Sequence, residues 1–284
     1  MLQRIPAYRD PLVQVLSDAL KRALDVYRRE MSAGVSVEFE CRLGTFSTSR
    51  HTYTHSFPTH TTTPALLEVQ SITPFFFFAG VAQPTFQALH TALKTTAGVS
   101  MPARSTTVLS VRTAGKTRLE YAMNATCNTG RLIAVVEKER ILSNDIRCPR
   151  WASDFRVSVS REKCIHADAW GKSQWATFTP SVSRLRQRKT IRISPILSLD
   201  IAMVRSFTDH TRFAVPWSPE LRVPFISAPQ VSYDVELEVN LPLLYRTVKK
   251  TRLLDSTVER TSQDVLAMLQ FLTLKRENVG TNTI

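Results

Sequence analysis

Two segments near opposite ends of the chain alternate apolar residues with carboxylates, VSVEFECRLG (Val35–Gly44) and SYDVELEVN (Ser232–Asn240). Residues two apart in a β-strand share a face, so each segment predicts a strand with an acidic row on one side. Carboxylates confined together repel one another unless a divalent cation lies among them. A metal site is therefore expected if the two rows meet. The carboxylates concerned are Glu38 and Glu40 in the first segment and Asp234, Glu236 and Glu238 in the second.

Four further segments, SRLRQRKTIRIS, DFRVSVSRE, GKTRLEY and VVEKERI, alternate in the same way but carry many basic side chains on the polar face. A single row of this kind is typical of a solvated sheet face. If the sheet closes into a barrel, the basic rows would face the acidic rows across a lumen. A metal on one wall and an oxyanion on the other would permit phosphoryl transfer to water. The polar faces contain Arg184, Arg186, Arg188, Thr190 and Arg192; Asp154, Arg156 and Glu162; Lys116, Arg118 and Glu120; and Lys138 and Arg140.

Three amphipathic segments predict helices that cover the apolar faces of these strands. The first begins at Asp10-Pro11 and ends near Glu30, the second runs from Pro84 to about Ala97, and the third from about Thr261 to Leu274. Because the helices cover the apolar faces, the charged faces must lie on the other side of the sheet. On an open sheet they would be an ordinary wet surface, and in a closed barrel they would line a polar lumen.

The composition limits the class of partner. The 284 residues carry a formal net charge of +13 and a pI near 10.0, which favours a polyanion such as nucleic acid or polyphosphate. The longest apolar run is far shorter than the ~20 residues of a membrane span, so a soluble protein with no membrane partner is expected. The cysteines lack CxxC spacing and predict reduced thiols rather than a zinc site or disulfides. They are Cys41, Cys127, Cys148 and Cys164.

Other sequence features exclude several enzyme classes. The chain has no GxxxxGK[ST] phosphate loop, and no cysteine is followed six residues later by arginine. These absences argue against a P-loop NTPase and a cysteine phosphatase. No KxDG-like motif is present, so a nucleotidyltransferase activity is not expected in this chain. His51, His55 and His60 lie in a Thr- and Pro-rich segment without regular ligand spacing, which predicts a solvated loop.

Taken together, these segments resemble the fungal and protozoan type of mRNA-capping RNA triphosphatase, a member of the triphosphate tunnel metalloenzymes. VEFECRLG and YDVELEVN resemble that family's glutamate motifs on the first and last barrel strands, and VVEKERI, DFRVSVSRE, RQRKTIRIS and LSLDIAMV resemble its central motifs in the same order. The resemblance covers roughly Val35 to Asn240. It implies one α+β, mainly β domain over 1–284, a closed antiparallel barrel at about 35–245 with a charged lumen, and flanking helices at about 10–30 and 261–274.

The resemblance also implies a role for each matching residue. One group of glutamates would bind Mg²⁺ or Mn²⁺, a second acidic group would hold the attacking water, a basic group would bind the triphosphate, and a last acidic group would orient the basic side chains. In that order the groups are Glu38, Glu40 and Glu238; Asp234 and Glu236; Arg118, Lys138, Arg140, Arg156, Arg188 and Arg192; and Glu162 and Asp200. Those expected to act in catalysis are Asp234, Glu236, Arg118, Lys138, Arg156 and Arg192.

Two positions depart from the family pattern. Thr190 stands where the basic strand usually has its central lysine, and Lys189 should lie on the outer face. Either neighbouring basic residues supply the missing charge, or a β-bulge turns Lys189 inward; otherwise activity is reduced. Asp234 stands where a longer glutamate is common, which changes reach but not charge.

The function implied by the resemblance is that of a polynucleotide 5′-phosphatase. It would remove the γ-phosphate of a triphosphate-ended RNA in a metal-dependent reaction, the first step of mRNA cap formation, with nucleoside triphosphates as further substrates in vitro. The resemblance further implies a nuclear location, a separate guanylyltransferase, and a monomer or homodimer.

Two other functions remain open at this point. A triphosphatase of the same tunnel fold that acts on inorganic or thiamine triphosphate is the nearest alternative, although the charge of +13 favours RNA. A non-catalytic basic β-barrel that binds RNA is the second, and it predicts exposed aromatic residues on the strands. Phe39, Tyr121 and Phe155 instead share faces with apolar residues, which argues against it.

Overall fold

The structure is a computed structural model that describes residues 10–31, 35–47, 63–67, 75–95, 104–113, 116–124, 129–165, 180–207, 220–222 and 230–273. The predicted histidine-containing loop and Cys127 lie outside the described residues. The helices are α1 (Pro11–Glu30), α2 (Gln83–Thr95), α3 (Leu241–Thr251) and α4 (Leu254–Thr273). The strands are β1 (Val35–Ser47), β2 (Ala65–Leu67), β3 (Phe76–Ala79), β4 (Arg104–Thr113), β5 (Thr117–Asn124), β6 (Thr129–Arg147), β7 (Asp154–Ile165), β8 (Pro180–Arg192), β9 (Leu197–Phe207), β10 (Glu220–Arg222) and β11 (Gln230–Val239).

Eight antiparallel strands close into a barrel. The hydrogen-bonded order is β6-β5-β4-β8-β9-β11-β1-β7, and β7 pairs back with β6 to complete the ring. Among the described residues, three short strands lie outside the ring. Strand β3 pairs with β1, and strands β2 and β10 pair with β6. The closed antiparallel barrel predicted from the sequence is confirmed, so the polar strand faces line a lumen.

The outer face of the barrel carries the main hydrophobic core. Phe39 and Leu43 of β1, with Val157 of β7 and Leu237 of β11, are buried in one cluster beneath helices α1, α3 and α4. Helix α1 begins where Asp10 accepts a hydrogen bond from Leu12 N (2.8 Å), and it buries a stripe of leucines at helical spacing. No helix among the described residues is long and apolar enough to cross a membrane. The main apolar cluster thus lies between the ring and the helices, and mostly polar side chains line the lumen.

The C-terminal part of the fold differs from the sequence expectation. The last barrel strand ends at Val239 rather than near 245, and helix α3, which was not predicted, begins directly after it. Asn240 caps α3 by accepting a hydrogen bond from Leu243 N (3.1 Å). Helix α4 begins at Leu254 rather than about Thr261. The short stretch after the strand buries only two leucines fully, which left a weak helical pattern in the sequence.

Asp154 fastens three strands at one end of the barrel. Its buried carboxylate accepts hydrogen bonds from Arg147 Nη1 (2.7 Å) and Cys148 N (2.8 Å) at the end of β6. It also accepts one from Phe46 N (3.2 Å) in β1. Asp154 is the first residue of β7, so its side chain links β7 to donors of the two neighbouring strands, β6 and β1. Loss of one partner would leave the others unsatisfied in a buried place.

We expect Asp154→Asn to lower the free energy of unfolding by about 3 kcal/mol, because Arg147 would lose its charge partner and the new amide would meet backbone donors. Urea denaturation would measure the loss. The control is Asp18→Asn, an exposed position on α1, where a change within about 0.5 kcal/mol is expected. Equal stability of the two variants would contradict the role of Asp154.

Candidate active site

The two acidic rows of the sequence meet inside the barrel. Strands β1 and β11 are neighbours, and their register places Glu40 opposite Glu238 and Arg42 opposite Glu236. One carboxylate oxygen from each of Glu40, Glu236 and Glu238 lies within 4.8 Å of the other two. Glu40 and Glu236 are buried, and Glu238 is partly buried.

These three glutamates fit a divalent metal ion. Their ligand atoms are hard carboxylate oxygens, which Mg²⁺ and related ions prefer. The pKa of Glu238 is raised to about 8. Burial is the largest cause, and the nearby carboxylates Asp200, Glu38 and Glu236 add to it. A divalent cation among the oxygens would relieve this repulsion. The donor set and its electrostatic strain therefore both favour a metal at this point.

Arg42 joins the two acidic strands. Its Nη2 lies 2.7 Å from Glu236 Oε1 and 3.6 Å from Glu40 Oε2. Arg186 approaches from β8, with Nη2 3.8 Å from Glu236 Oε1 and 3.6 Å from Asp234 Oδ2. Burial would raise the pKa of Glu236, but Arg42 and Arg186 outweigh burial and hold it at about 2. Glu236 is thus a carboxylate at any physiological pH.

Lys138 forms a second ionic cluster beside the first. Its Nζ lies 2.6 Å from Glu38, 3.0 Å from Glu162 and 3.8 Å from Glu40. Burial would lower the pKa of Lys138, but Glu40 and Glu38 outweigh it and the pKa is raised. Arg118 contacts Glu162 on the other side (3.3 Å). Of the three predicted metal ligands, the structure groups Glu40 and Glu238 with Glu236, while Glu38 is ion-paired with Lys138.

Of the two β8 arginines predicted to bind triphosphate, the structure places Arg188 in the lumen and Arg192 at the exposed end of the strand. Arg184, Arg186 and Arg188 line the lumen. Arg188 Nη1 lies 3.0 Å from Asp200 Oδ2, as predicted for a carboxylate that orients a basic side chain. Arg192, predicted to bind triphosphate, is exposed at the end of the strand. Arg192 lines neither of the two lumen cavities.

The question raised by Thr190 has a structural answer. No register shift interrupts the pairing of β8 with β9 in the part of the chain described, so a bulge does not turn Lys189 inward. Lys189 instead alternates away from the lumen-lining arginines. Thr190 donates a side-chain hydrogen bond to Asp200. Arg186, four residues before Thr190 on the same face of β8, supplies positive charge near Glu236, with Nη2 3.8 Å from Glu236 Oε1.

Arg156, predicted to bind triphosphate, lines the lumen and is ion-paired with Asp145. Nε donates to Asp145 Oδ1 (2.5 Å) and Nη2 donates to Asp145 Oδ2 (2.8 Å), a bidentate pair. The Cζ atom lies 4.6 Å from the centre of the Phe77 ring. Arg140, also predicted, reaches the middle of the lumen, where it lines both cavities described below.

Two neighbouring cavities occupy the lumen. The metal-side cavity, about 330 Å³, contains Glu38, Glu236 and Glu238 together with the Lys138 cluster. The aromatic-side cavity, about 310 Å³, contains Asp234 and the Phe77 ring. Basic residues outnumber acidic ones around both, so an anion would be attracted into either. The residues common to the two cavities are Glu40, Arg42 and Arg140.

Four arginines that line the described lumen cavities were not among the predicted site residues, namely Arg42, Arg112, Arg184 and Arg186. Arg42 and Arg186 belong to alternating rows that the sequence shows, but only the neighbouring strands reveal that they flank Glu236. Arg112 lines the metal-side cavity from β4. Burial and the nearby Arg184 lower the pKa of Arg112 to about 10, together with other arginines of the lumen. This mutual repulsion indicates positive charge that an anionic substrate would balance.

Comparisons with known proteins agree with this geometry. The sequence model of the family described as mRNA capping enzyme, beta chain, matches residues 24–272. No curated protein sequence matches the chain. The structure of the S. pombe Pct1 RNA triphosphatase is similar, with a TM-score of 0.67 and 17% identity over 98% of this chain and 100% of that one. The same protein in complex with the Spt5 CTD gives a TM-score of 0.66 at 17% identity and the same coverage.

A viral structure is similar to a lower degree. The Mimivirus capping enzyme triphosphatase gives a TM-score of 0.46 and 13% identity, covering 89% of this chain and 99% of that one. At 17% identity, the likeness to Pct1 supports the fold alone, which is the closed eight-stranded barrel.

The raised pKa of Glu238 predicts how stability depends on pH without metal. Between pH 4.5, the usual pKa of a glutamate, and about pH 8, the Glu238 carboxyl is ionised in the unfolded chain but protonated in the folded chain. The free energy of unfolding therefore falls as the pH rises through this window. Glu238→Gln lacks this penalty. We expect its melting temperature in chelator to exceed that of the wild type by several degrees at pH 8 and to match it near pH 4.5.

Added Mn²⁺ should raise the melting temperature of the wild type at pH 8 but not that of Glu238→Gln, because binding stabilises only the chain that keeps the site. The control is Glu137→Gln, an exposed position on β6 that should respond to Mn²⁺ like the wild type. Equal stabilisation of all three proteins by Mn²⁺ would contradict a metal site at Glu238.

Proposed function

The chain belongs to the family of the mRNA capping enzyme beta chain, and we propose that it hydrolyses the γ-phosphate from a triphosphate-ended RNA to leave a 5′-diphosphate end. The observation that carries the proposal is the group of Glu40, Glu236 and Glu238 within 4.8 Å, enclosed in a lumen rich in arginine and lysine. A polyphosphate needs both parts, because its charge must be balanced at the reacting phosphorus and along the chain.

The three glutamates would hold a Mg²⁺ or Mn²⁺ ion. When bound, the ion would polarise the γ-phosphate and offset its charge. The donor set and the raised pKa of Glu238 support this proposal without distinguishing the two ions.

The basic residues would balance the charge of the reacting phosphate. Lys138 keeps its proton because Glu40 and Glu38 outweigh burial and raise its pKa, and Arg188 keeps its own beside Asp200. Arg118, Lys138, Arg186 and Arg188 all line the metal-side cavity. Their fixed positions would stabilise the charge that accumulates when the bond from γ-phosphorus to the leaving diphosphate breaks.

A carboxylate would orient the attacking water. Asp234 lies beside Glu236 on the same face of β11, and burial together with Glu236 raises its pKa. A hydrogen bond from the water to Glu236, which lines the metal-side cavity, would direct the water oxygen toward phosphorus from the side opposite the leaving oxygen. The proton of the water would pass to an oxygen of the released phosphate as the new P–O bond forms.

The product would be the substrate of a guanylyltransferase on a separate chain, in the first step of cap formation. A nuclear location follows from this role and is part of the proposal. Nucleoside triphosphates carry the same reacting group, so they should also be hydrolysed. The net charge of +13 supports RNA over inorganic or thiamine triphosphate, since a long polyanion gains from a basic exterior.

Release of phosphate from triphosphate-ended RNA with Mg²⁺ or Mn²⁺ tests the function directly. We expect the wild type to turn over, and Glu40→Gln and Glu236→Gln to lose at least about 100-fold in kcat, because each removes a charge at the reacting group. The exposed Glu137→Gln serves as the control. Strong preference of the wild type for inorganic tripolyphosphate over RNA would contradict the capping role, and inactivity with both metals would contradict an enzyme.

The lumen position of the β8 arginines generates a second prediction. Arg186→Ala should reduce kcat/KM about 100-fold or more, since Arg186 lies beside Glu236 and Asp234. Arg192→Ala should stay within about threefold of the wild type, because Arg192 is exposed and lines neither lumen cavity. Initial rates on RNA measure both. The reverse order of effects would show that the strand is shifted in the active protein.

A further inference from the structure

The aromatic-side cavity holds features that the hydrolysis does not use. It is separated from Glu238 by the Glu40–Arg42 row and is lined in part by Phe77 of β3, a short strand outside the ring. Arg140 and Arg184 add positive charge, while Ser206 and Ser232 add hydroxyl groups. The two cavities are neighbours, because Glu40, Arg42 and Arg140 line both of them.

Arg156 and Phe77 form a rigid flat surface in this cavity. Both nitrogens of one edge of the guanidinium donate to Asp145, at 2.5 and 2.8 Å, which fixes its plane. Its Cζ lies 4.6 Å from the centre of the Phe77 ring. The ring is in turn held by Phe46, with centroids 5.0 Å apart.

Gly44 allows the ring to occupy this place. A Cβ on Gly44 would lie 2.6 Å from Phe77 Cζ and 2.3 Å from the carbonyl oxygen of Phe78, closer than real contacts allow. Strand β3 therefore packs on β1 at a residue without a side chain. The aromatic ring is brought to the end of the lumen by a contact that only glycine permits.

The chemistry of this surface suits a nucleobase. The bidentate pair with Asp145 takes two of the five N–H donors of Arg156 and holds the guanidinium plane beside the Phe77 ring. Bases of single-stranded RNA stack on such guanidinium and aromatic planes. A cavity of about 310 Å³ is within the size range of ligand sites.

We propose that the first nucleoside of a triphosphate-ended substrate binds in the aromatic-side cavity with its base stacked on the Arg156–Phe77 pair. The proposal rests on the proposed function and adds a subsite for the base. The triphosphate extends from this cavity past Arg184, Arg140 and Arg42 to the glutamates. Free nucleoside triphosphates and RNA 5′ ends share this chemistry, whereas inorganic tripolyphosphate lacks the base.

The test compares three substrates, triphosphate-ended RNA, ATP and inorganic tripolyphosphate. The variants are Arg156→Lys, which keeps the charge but removes the plane, and Phe77→Leu, which keeps an apolar side chain but removes the ring. We expect kcat/KM to fall about 5- to 100-fold for RNA and ATP, the range for loss of stacking on one base. For tripolyphosphate it should stay within about twofold, which also reports that each variant is folded.

A matched control lies at the other end of β1. A cavity of about 560 Å³ there shares Lys116 and Lys138 with the metal-side cavity and is also lined by the exposed Lys163. Lys163→Ala should leave the ratio of RNA to tripolyphosphate activity unchanged. A selective loss of RNA activity in Lys163→Ala, with none in the other two variants, would show that the nucleoside lies at that end and would overturn the proposal.

Equal losses on all three substrates would also overturn it, because Arg156 would then act on phosphate. Unchanged rates in both variants would show that no base stacks there. Failure of the wild type to hydrolyse RNA counts against the proposed function alone. In that case, titration of the same variants with a non-hydrolysable ATP analogue and with tripolyphosphate measures the base preference as binding constants, with the same 5- to 100-fold loss expected for the analogue only.

Discussion

The ion pair between Arg42 and Glu236 shows the constraint on which the rest of the structure depends. Both side chains lie inside a closed ring of strands, where an unpaired charge would be very costly. Each charge in the lumen therefore needs a partner on a neighbouring strand, and the rows of β1, β8 and β11 supply those partners by their register. The lumen can hold many carboxylates because a larger number of basic side chains surrounds them.

That arrangement requires the hydrophobic core to lie elsewhere. In most small domains the apolar side chains fill the centre, but here they lie between the outer face of the barrel and the helices. Helices α1, α3 and α4 cover β1 and its neighbours, and the short outer strands extend the sheet at its ends. Asp154 shows how the ends are fixed, since one buried carboxylate satisfies donors of β6 and β1. A rigid exterior keeps the charged interior in register.

The balance of charges inside the barrel then accounts for the proposed chemistry. The acidic side is strained, because Glu238 resists ionisation beside Asp200, Glu38 and Glu236. The basic side is strained in the opposite sense, because burial and neighbouring arginines lower the pKa of Arg112 to about 10. A cation would relieve the first strain and a polyphosphate the second, so under the proposed function each ligand would favour binding of the other. The chain belongs to the family of the mRNA capping enzyme beta chain.

Much of this architecture was determined by the sequence itself. The two-residue alternation of the strands specifies which side chains share a face, and it predicted the acidic and the basic rows. It did not distinguish an open sheet from a closed barrel, and the barrel was expected from the family resemblance. Helix α1 followed from its cap and leucine spacing. Helix α3 did not, because a short amphipathic stretch directly after a strand has too few buried residues to give a clear period.

The tertiary structure decided which members of each row meet. Alternation gives the face of a residue but not its height in the barrel, which depends on the stagger between paired strands. For that reason Glu236 rather than Glu38 joins Glu40 and Glu238, and Arg186 rather than Arg192 lies beside them. The same holds for Arg156, whose role depends on Asp145 and on Phe77, a residue of a separate short strand. Contacts between distant segments were needed to distinguish residues that local pattern makes equivalent.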